Sequence, residues 1–193
     1  MKDLFENIET QSNGAFLVRN CAFTSSVNTI KRDKCFEEVM KNASLPKANE
    51  ILAVKSNGVS DVGSIYSYIA EREIIEEAYI STWIISRENI DRLKDDLDSG
   101  VLESMYFALS TRLKQLKKSN YAYFVESMKD RSNVRFKVLN NHAKVFSLKT
   151  KNGNHYTVNG SGNWTKNPRI EFYTIHNSVE LFQFNKEWIK ELL

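Results

Sequence analysis

The chain has 193 residues, with 41% hydrophobic and 26% charged residues, seven glycines and two prolines. That is enough to bury a core without metals or disulfides, it reads as one domain over 1–193, and it excludes long disordered linkers. No apolar run approaches the roughly 18 residues that cross a bilayer, and charges interrupt the first ten positions, so neither a secretion signal nor a membrane span is expected. Cys21 and Cys35 form no C-x-x-C pair and read as free thiols of a reducing compartment, which places the protein in the cytoplasm. The formal charge of +3 is uneven: residues 131–193 carry 10 Lys+Arg against 4 Asp+Glu, and residues 1–130 carry 17 against 20. A basic final third concentrates anionic partners, of which phosphate chains are the commonest.

In chain order, "AFLVRNCAF" (residues 15–23) predicts a strand and "IKRDKCFEEVMKN" (residues 30–42) a helix; with Pro46 as a boundary, 1–48 reads as an N-terminal elaboration. The core, 49–193, then alternates. "NEILAVKSNG" predicts a strand, and "DVGSIYSYIAER" a helix with Ile65, Tyr68, Ile69 and Arg72 at helical spacing. "EEAYISTWII" predicts a buried strand, and "SRENIDRLKDDLDSG" a helix capped by Ser86 and ended by Gly100. Residues 101–130 admit two readings. Leu102, Met105, Leu109, Leu113 and Leu116 fit one helical stripe, whereas "VLESMYFAL" equally suits a strand before a helix from Thr111. The strand is preferred because it continues the alternation that builds a layered sheet.

Beyond residue 130, "VRFKVL", "HAKVFSLKT" and "HYTVNGS" predict strands, the last two joined by a turn through "KNGN". "EFYTIHN" and "VELFQF" predict two more strands before a short terminal helix. The fold class is therefore α/β: a mixed β-sheet sandwiched by helices, with a strand-rich C-terminal third.

The chemistry concentrates between residues 140 and 171. His142 and Lys144 are two apart, so on a strand their side chains share one face. A hairpin through "KNGN" brings Ser161 and Asn163 beside them. A phosphodiester calls for this set: a nucleophile, a cation, and hydroxyl or amide donors for the non-bridging oxygens. Glu171 is the candidate for holding the imidazole tautomer. Lys149, Lys151, Lys166 and Arg169 flank the motif and are candidates for contact with a nucleic-acid backbone. His155 and His176 lack a lysine partner and any cluster at metal-ligand spacing, and neither is expected to be a ligand. Trp164 reads as a packing residue under the Gly-Ser-Gly-Asn turn.

His142-Ala-Lys144, Gly160-Ser161-Gly162-Asn163 and the downstream Glu171 resemble the H-x-K, G-S-x-N and glutamate pattern of the phospholipase D superfamily, in particular its small single-motif nucleases. The resemblance covers roughly residues 133–184. It implies a phospholipase D-like fold, a metal-independent and cofactor-independent phosphodiesterase acting on nucleic acid, and a phosphohistidine on His142. It implies that Lys144, Ser161 and Asn163 hold phosphate oxygens and that Glu171 accepts the other imidazole N–H. One motif per chain implies a homodimer in which two motifs face each other. The pattern departs from the family at Lys149, where an aspartate is usual, and the alternative reading is a nucleic-acid- or phosphate-binding protein that keeps the fold without turnover.

Overall fold

The computed structural model describes residues 18–21, 36–37, 40, 44–57 and 60–193. The predicted helix over 30–42 and the pairing state of Cys21 and Cys35 lie largely outside these residues, although Phe36 and Met40 are buried in the core. Among the described residues eight strands form one sheet: β1 (Val18–Cys21), β2 (Ile51–Asn57), β3 (Ile75–Thr82), β4 (Met105–Ser110), β5 (Val134–Leu139), β6 (Val145–Thr150), β7 (His155–Gly160) and β8 (Ile170–Asn177). Their order is β1-β2-β8-β7-β6-β3-β4-β5. The two flanks are parallel, and β8, β7 and β6 are inserted between them as an antiparallel block.

Among the described residues five helices cover the sheet: α1 (Val62–Ala70), α2 (Arg87–Ser99), α3 (Thr111–Leu116), α4 (Lys118–Met128) and α5 (Val179–Leu192). The first flank follows β-α alternation, and its helix boundaries have local causes. Asp61 and Ser64 form a reciprocal capping box at the start of α1. Ser86 caps α2 through the Asn89 N–H, and Gly100, at φ 77°, ends it in a left-handed conformation that costs glycine little. Residues 105–110 form a strand and Ser110 caps the helix from Thr111, so the strand reading of this segment holds. Lys117 then breaks the helix into α3 and α4.

The sheet's two faces have different covers. Ile80, Phe107, Phe146, Leu148 and Ile175 point to one face and join Ile65 and Ile69 of α1, Ile90 and Leu93 of α2, and Phe124 and Met128 of α4 in the main core. The opposite face is covered by α5, whose Phe182 and Ile189 pack on Tyr79 and Ala108.

That second cover corrects the reading of "VELFQF" as a strand: the segment opens α5. Ser178 caps it through the Leu181 N–H, and Phe182, Asn185 and Ile189 recur at helical spacing on the buried side. The apolar positions that suggest a strand, Val179 and Phe184, are 50% and 62% exposed. Phe182 also meets Tyr79 and His155 edge-on, at 5.7 Å and 5.1 Å between ring centroids. Phe182→Ala is expected to lower stability by about 3–5 kcal/mol, the usual range for an aromatic removed from a core, as a shift of the urea unfolding midpoint.

Candidate active site

The antiparallel pairing of β6 with β7 starts at Val145 opposite Asn159. The turn between them carries Gly153 at φ 82°, where an L side chain would be strained. This register delivers the residues just before β6 and just after β7 to the same end of the sheet. His142 and Lys144 therefore precede the strand, in an irregular segment, where the sequence suggests strand positions.

Asn141 is the reason. Its Oδ1 accepts the Ala143 N–H at 2.8 Å, and its Nδ2 donates to Ser81 Oγ at 2.7 Å and the Ala108 carbonyl at 3.2 Å. Ser81 Oγ donates in turn to the Ala143 carbonyl at 3.3 Å. The side chain replaces ladder partners for this stretch and pins it to the ends of β3 and β4.

The two motif side chains still meet. Lys144 Nζ lies 3.5 Å from His142 Nδ1 and donates to the His142 carbonyl at 3.4 Å. The exposed imidazole meets Trp83 edge-on at 4.7 Å, and Lys144 Nζ stands 5.7 Å from the same indole ring. Lys144 also lines a small pocket with Val62, Thr82, Gly160, Gly162 and Trp164. Burial holds its ammonium below the ordinary lysine pKa, and the nearby Glu171 carboxylate opposes that shift.

The other wall is the segment from Gly160 to Trp164. Trp164, 2% exposed, packs under it against Tyr66 and Phe146, as its packing reading expects. Its carbonyl accepts from Ser86 N at 2.7 Å and from Asn89 Nδ2 at 3.0 Å, and Asn89 donates as well to Asp61 Oδ2 at 3.1 Å. The Asn163 carbonyl accepts from Val62 N at 3.5 Å. The starts of α1 and α2 thus hold the loop by its backbone. Asn163 Oδ1 is buried without a hydrogen-bond partner among the described residues.

Glu171, 5% exposed, stands on β8 opposite Ser56. Ser161 Oγ donates to one of its oxygens and Asn167 Nδ2 to the other. Ser161 Oγ accepts from Phe172 N at 3.1 Å. Within one chain the carboxylate is thus joined to Ser161 and Asn167, where the sequence reading joins it to His142.

The flanking cations divide. Lys166 and Arg169 are exposed on the segment between β7 and β8. Lys149 and Lys151 sit at the far end of β6, paired with Glu76 and Glu103 at 2.5 Å each, so the structure does not bring them to the site. The departure at position 149 is a lysine balanced by an acid on the neighbouring strand. His155 lies at that same end, paired with Lys149 in the ladder, and His176 bonds Thr174 Oγ1 at 3.0 Å. Among the described residues no group of three or more His, Cys, Asp or Glu is placed to hold a metal ion. No described helix is long and apolar enough to cross a membrane.

Asn141, Trp83 and Asn89 are missed by motif reasoning because each acts through a contact distant in sequence, and Asn167 because its bond to Glu171, four residues on, belongs to no motif. The Asn-Asn pair at 140–141 and Asn167 before Pro168 carry local turn signals.

No family model matches the chain, and no curated protein does. Solved structures do. Nuc, a phospholipase D family member from Salmonella typhimurium, has a TM-score of 0.51 at 16% identity, covering 73% of this chain and 91% of Nuc. A polyphosphate kinase from Porphyromonas gingivalis has a TM-score of 0.52 at 14% identity, over 68% of this chain. The chain spans 23% of that kinase's length. The fold is phospholipase D-like.

Gly162 shows how tightly the loop is held, since a Cβ there would lie 2.2 Å from Tyr173 Oη. Tyr173 is itself fixed by its hydrogen bond to the Ser60 carbonyl, and burial keeps its phenol protonated well above the usual range. Gly162→Ala is expected to cost about 1–3 kcal/mol by overpacking, visible as a lower unfolding midpoint.

Proposed function

We propose that the protein is a metal-independent phosphodiesterase, most plainly a nuclease of the cytoplasm, working as a homodimer. The observation that carries this reading is the pairing of His142 with Lys144, 3.5 Å apart, beside the loop that presents Ser161 and Asn163. His142 Nε2 attacks phosphorus, and the bond from phosphorus to the leaving oxygen breaks as that oxygen takes a proton from a second histidine. Water then attacks the phosphohistidine, the second histidine takes its proton, and His142 is restored. Lys144 and Asn163 hold the non-bridging oxygens, with Lys144 supplying the charge, and Ser161 joins them when its one hydroxyl proton turns from Glu171 to the phosphate. Glu171 is assigned to orienting Ser161 and to balancing Lys144. Lys166 and Arg169 are assigned to the nucleic-acid backbone; Lys149 and Lys151, ion-paired at the far end of β6, are left out of that surface.

Two features support the dimer. The chain has three histidines, and His155 and His176 lie away from His142, which favours a second histidine supplied by another copy. An imidazole that attacks through Nε2 carries its proton on Nδ1, and Nδ1 then needs an acceptor. Lys144 offers only donors, and Glu171, which accepts from Ser161 and Asn167, makes no bond to His142 among the described residues, so that acceptor is assigned to the facing chain.

The test compares wild type with His142→Ala on labelled single- and double-stranded DNA and RNA in EDTA, with particle size measured on the same samples. Wild type is expected to cleave as a dimer, and His142→Ala to stay dimeric while losing at least about 1000-fold in rate. Cleavage by a monomer, or cleavage that EDTA abolishes, sinks the proposal. Binding with no cleavage by either protein establishes instead the non-catalytic binding reading, whose affinity would fall steeply with salt.

The pH dependence follows from Lys144. Its charged form binds phosphate, and burial lowers its pKa, so binding is complete below that lowered value and declines as pH rises through it. The alkaline limb of strand affinity is expected below the pH at which an ordinary lysine titrates. Lys144→Arg, which keeps its charge, should move that limb upward in a titration of affinity against pH.

A further inference from the structure

Three tryptophans occupy three different settings. Trp164 belongs to the main core and Trp188 packs against the cluster under α5, whereas Trp83 belongs to neither. It follows directly on β3 and stays partly exposed, with His142 edge-on to its ring and Lys144 Nζ 5.7 Å from its centroid. A large ring left partly in water beside the phosphate-facing pair offers a π surface at the mouth of the site.

We infer that the Trp83 indole is a stacking platform for the base adjoining the scissile phosphate, so that the substrate is unpaired nucleic acid. The inference rests on the phosphodiesterase reading and deepens it. Lys144 faces both the ring and the phosphate position, so a nucleotide whose phosphate is bound there has its own base within reach of the indole. Stacking of this kind tolerates every base, because each has a π face. A base inside a duplex is already stacked on both sides and must leave the helix before it can use such a platform. A quaternary ammonium head group would also suit an indole face, but Lys144 already brings a cation to this ring and would repel a second one.

The experiment measures anisotropy of a labelled single-stranded oligonucleotide and of the same strand with abasic sites, in EDTA, in a His142→Ala background that prevents turnover. The base-bearing strand is expected to bind on the order of 10- to 100-fold more tightly than the abasic one. Adding Trp83→Ala is expected to bring that ratio close to one, and Trp83→Phe to keep part of it, with thermal melts showing that both variants fold. A ratio near one before Trp83 is changed, or a ratio that survives Trp83→Ala, overturns the inference. So does Trp83-dependent binding to phosphatidylcholine vesicles that exceeds binding to the strand. Cleavage by the unmutated protein is scored separately. If it cleaves nothing while the ratio still depends on Trp83, the base subsite stands and the hydrolase reading falls.

Discussion

The geometry of the site depends on one register, Val145 against Asn159 in the β6–β7 ladder. Strand pairing admits no half steps, because a slip by one residue turns every side chain to the opposite face. Here the register is fixed twice. Gly153 supports the short turn, and Phe146 and Val158, paired across the ladder, both point into the main core. With those positions set, the backbone before β6 and the backbone after β7 must emerge side by side. The lysine of one and the glycines of the other then line one pocket.

A register brings segments together without making them rigid, and both of these segments lie outside the ladder. Buried and partly buried polar groups take over. Asn141 anchors the histidine side to Ser81 and Ala108, and Asn89 anchors the opposite loop to α2 and to Asp61. Such groups are costly to bury unless bonded, so each has few alternative arrangements once the core has closed around it. The same logic applies to Glu171. Each of its oxygens accepts a hydrogen bond, and it fixes Ser161 and Asn167 while lending negative potential to a half-buried lysine. Precision at the exposed end of the sheet thus comes from satisfied polar groups beneath it.

The parts legible in the sequence are those governed by local rules. Ser86 and Gly100 bound α2 because capping and left-handed glycine act within a few residues. In residues 101–116 both readings bury Leu102, Met105, Leu109 and Leu113, and all four are buried, so burial alone could not choose between them. Alternation of neighbouring elements chose, since a strand there extends the parallel flank. The reading failed where a local pattern suits two structures. Apolar residues at 179, 181, 182 and 184 satisfy a strand, yet only the helix places Phe182 and Ile189 together on Tyr79. Trp83 and Asn89 were illegible for another reason: their partners lie 59 and 75 residues away, and no spacing announces such contacts.

Charge carries the same lesson to the surface. The basic final third suggests a field spread over residues 131–193, but several of its cations are matched by acids from earlier strands and helices. Lys149 meets Glu76, Lys151 meets Glu103, Lys186 meets Glu77 and Arg131 meets Asp98. Pairs of this kind near the surface add little stability, yet they cancel charge locally. The asymmetry along the chain is in good part an asymmetry between packing partners. At the site end, by contrast, Lys144 is partly withdrawn from water, where its charge is less screened than a surface lysine's. On the proposed reading, the attraction for a phosphate resides in one well-placed ammonium and its neighbours, and that reading does not need a broad basic face.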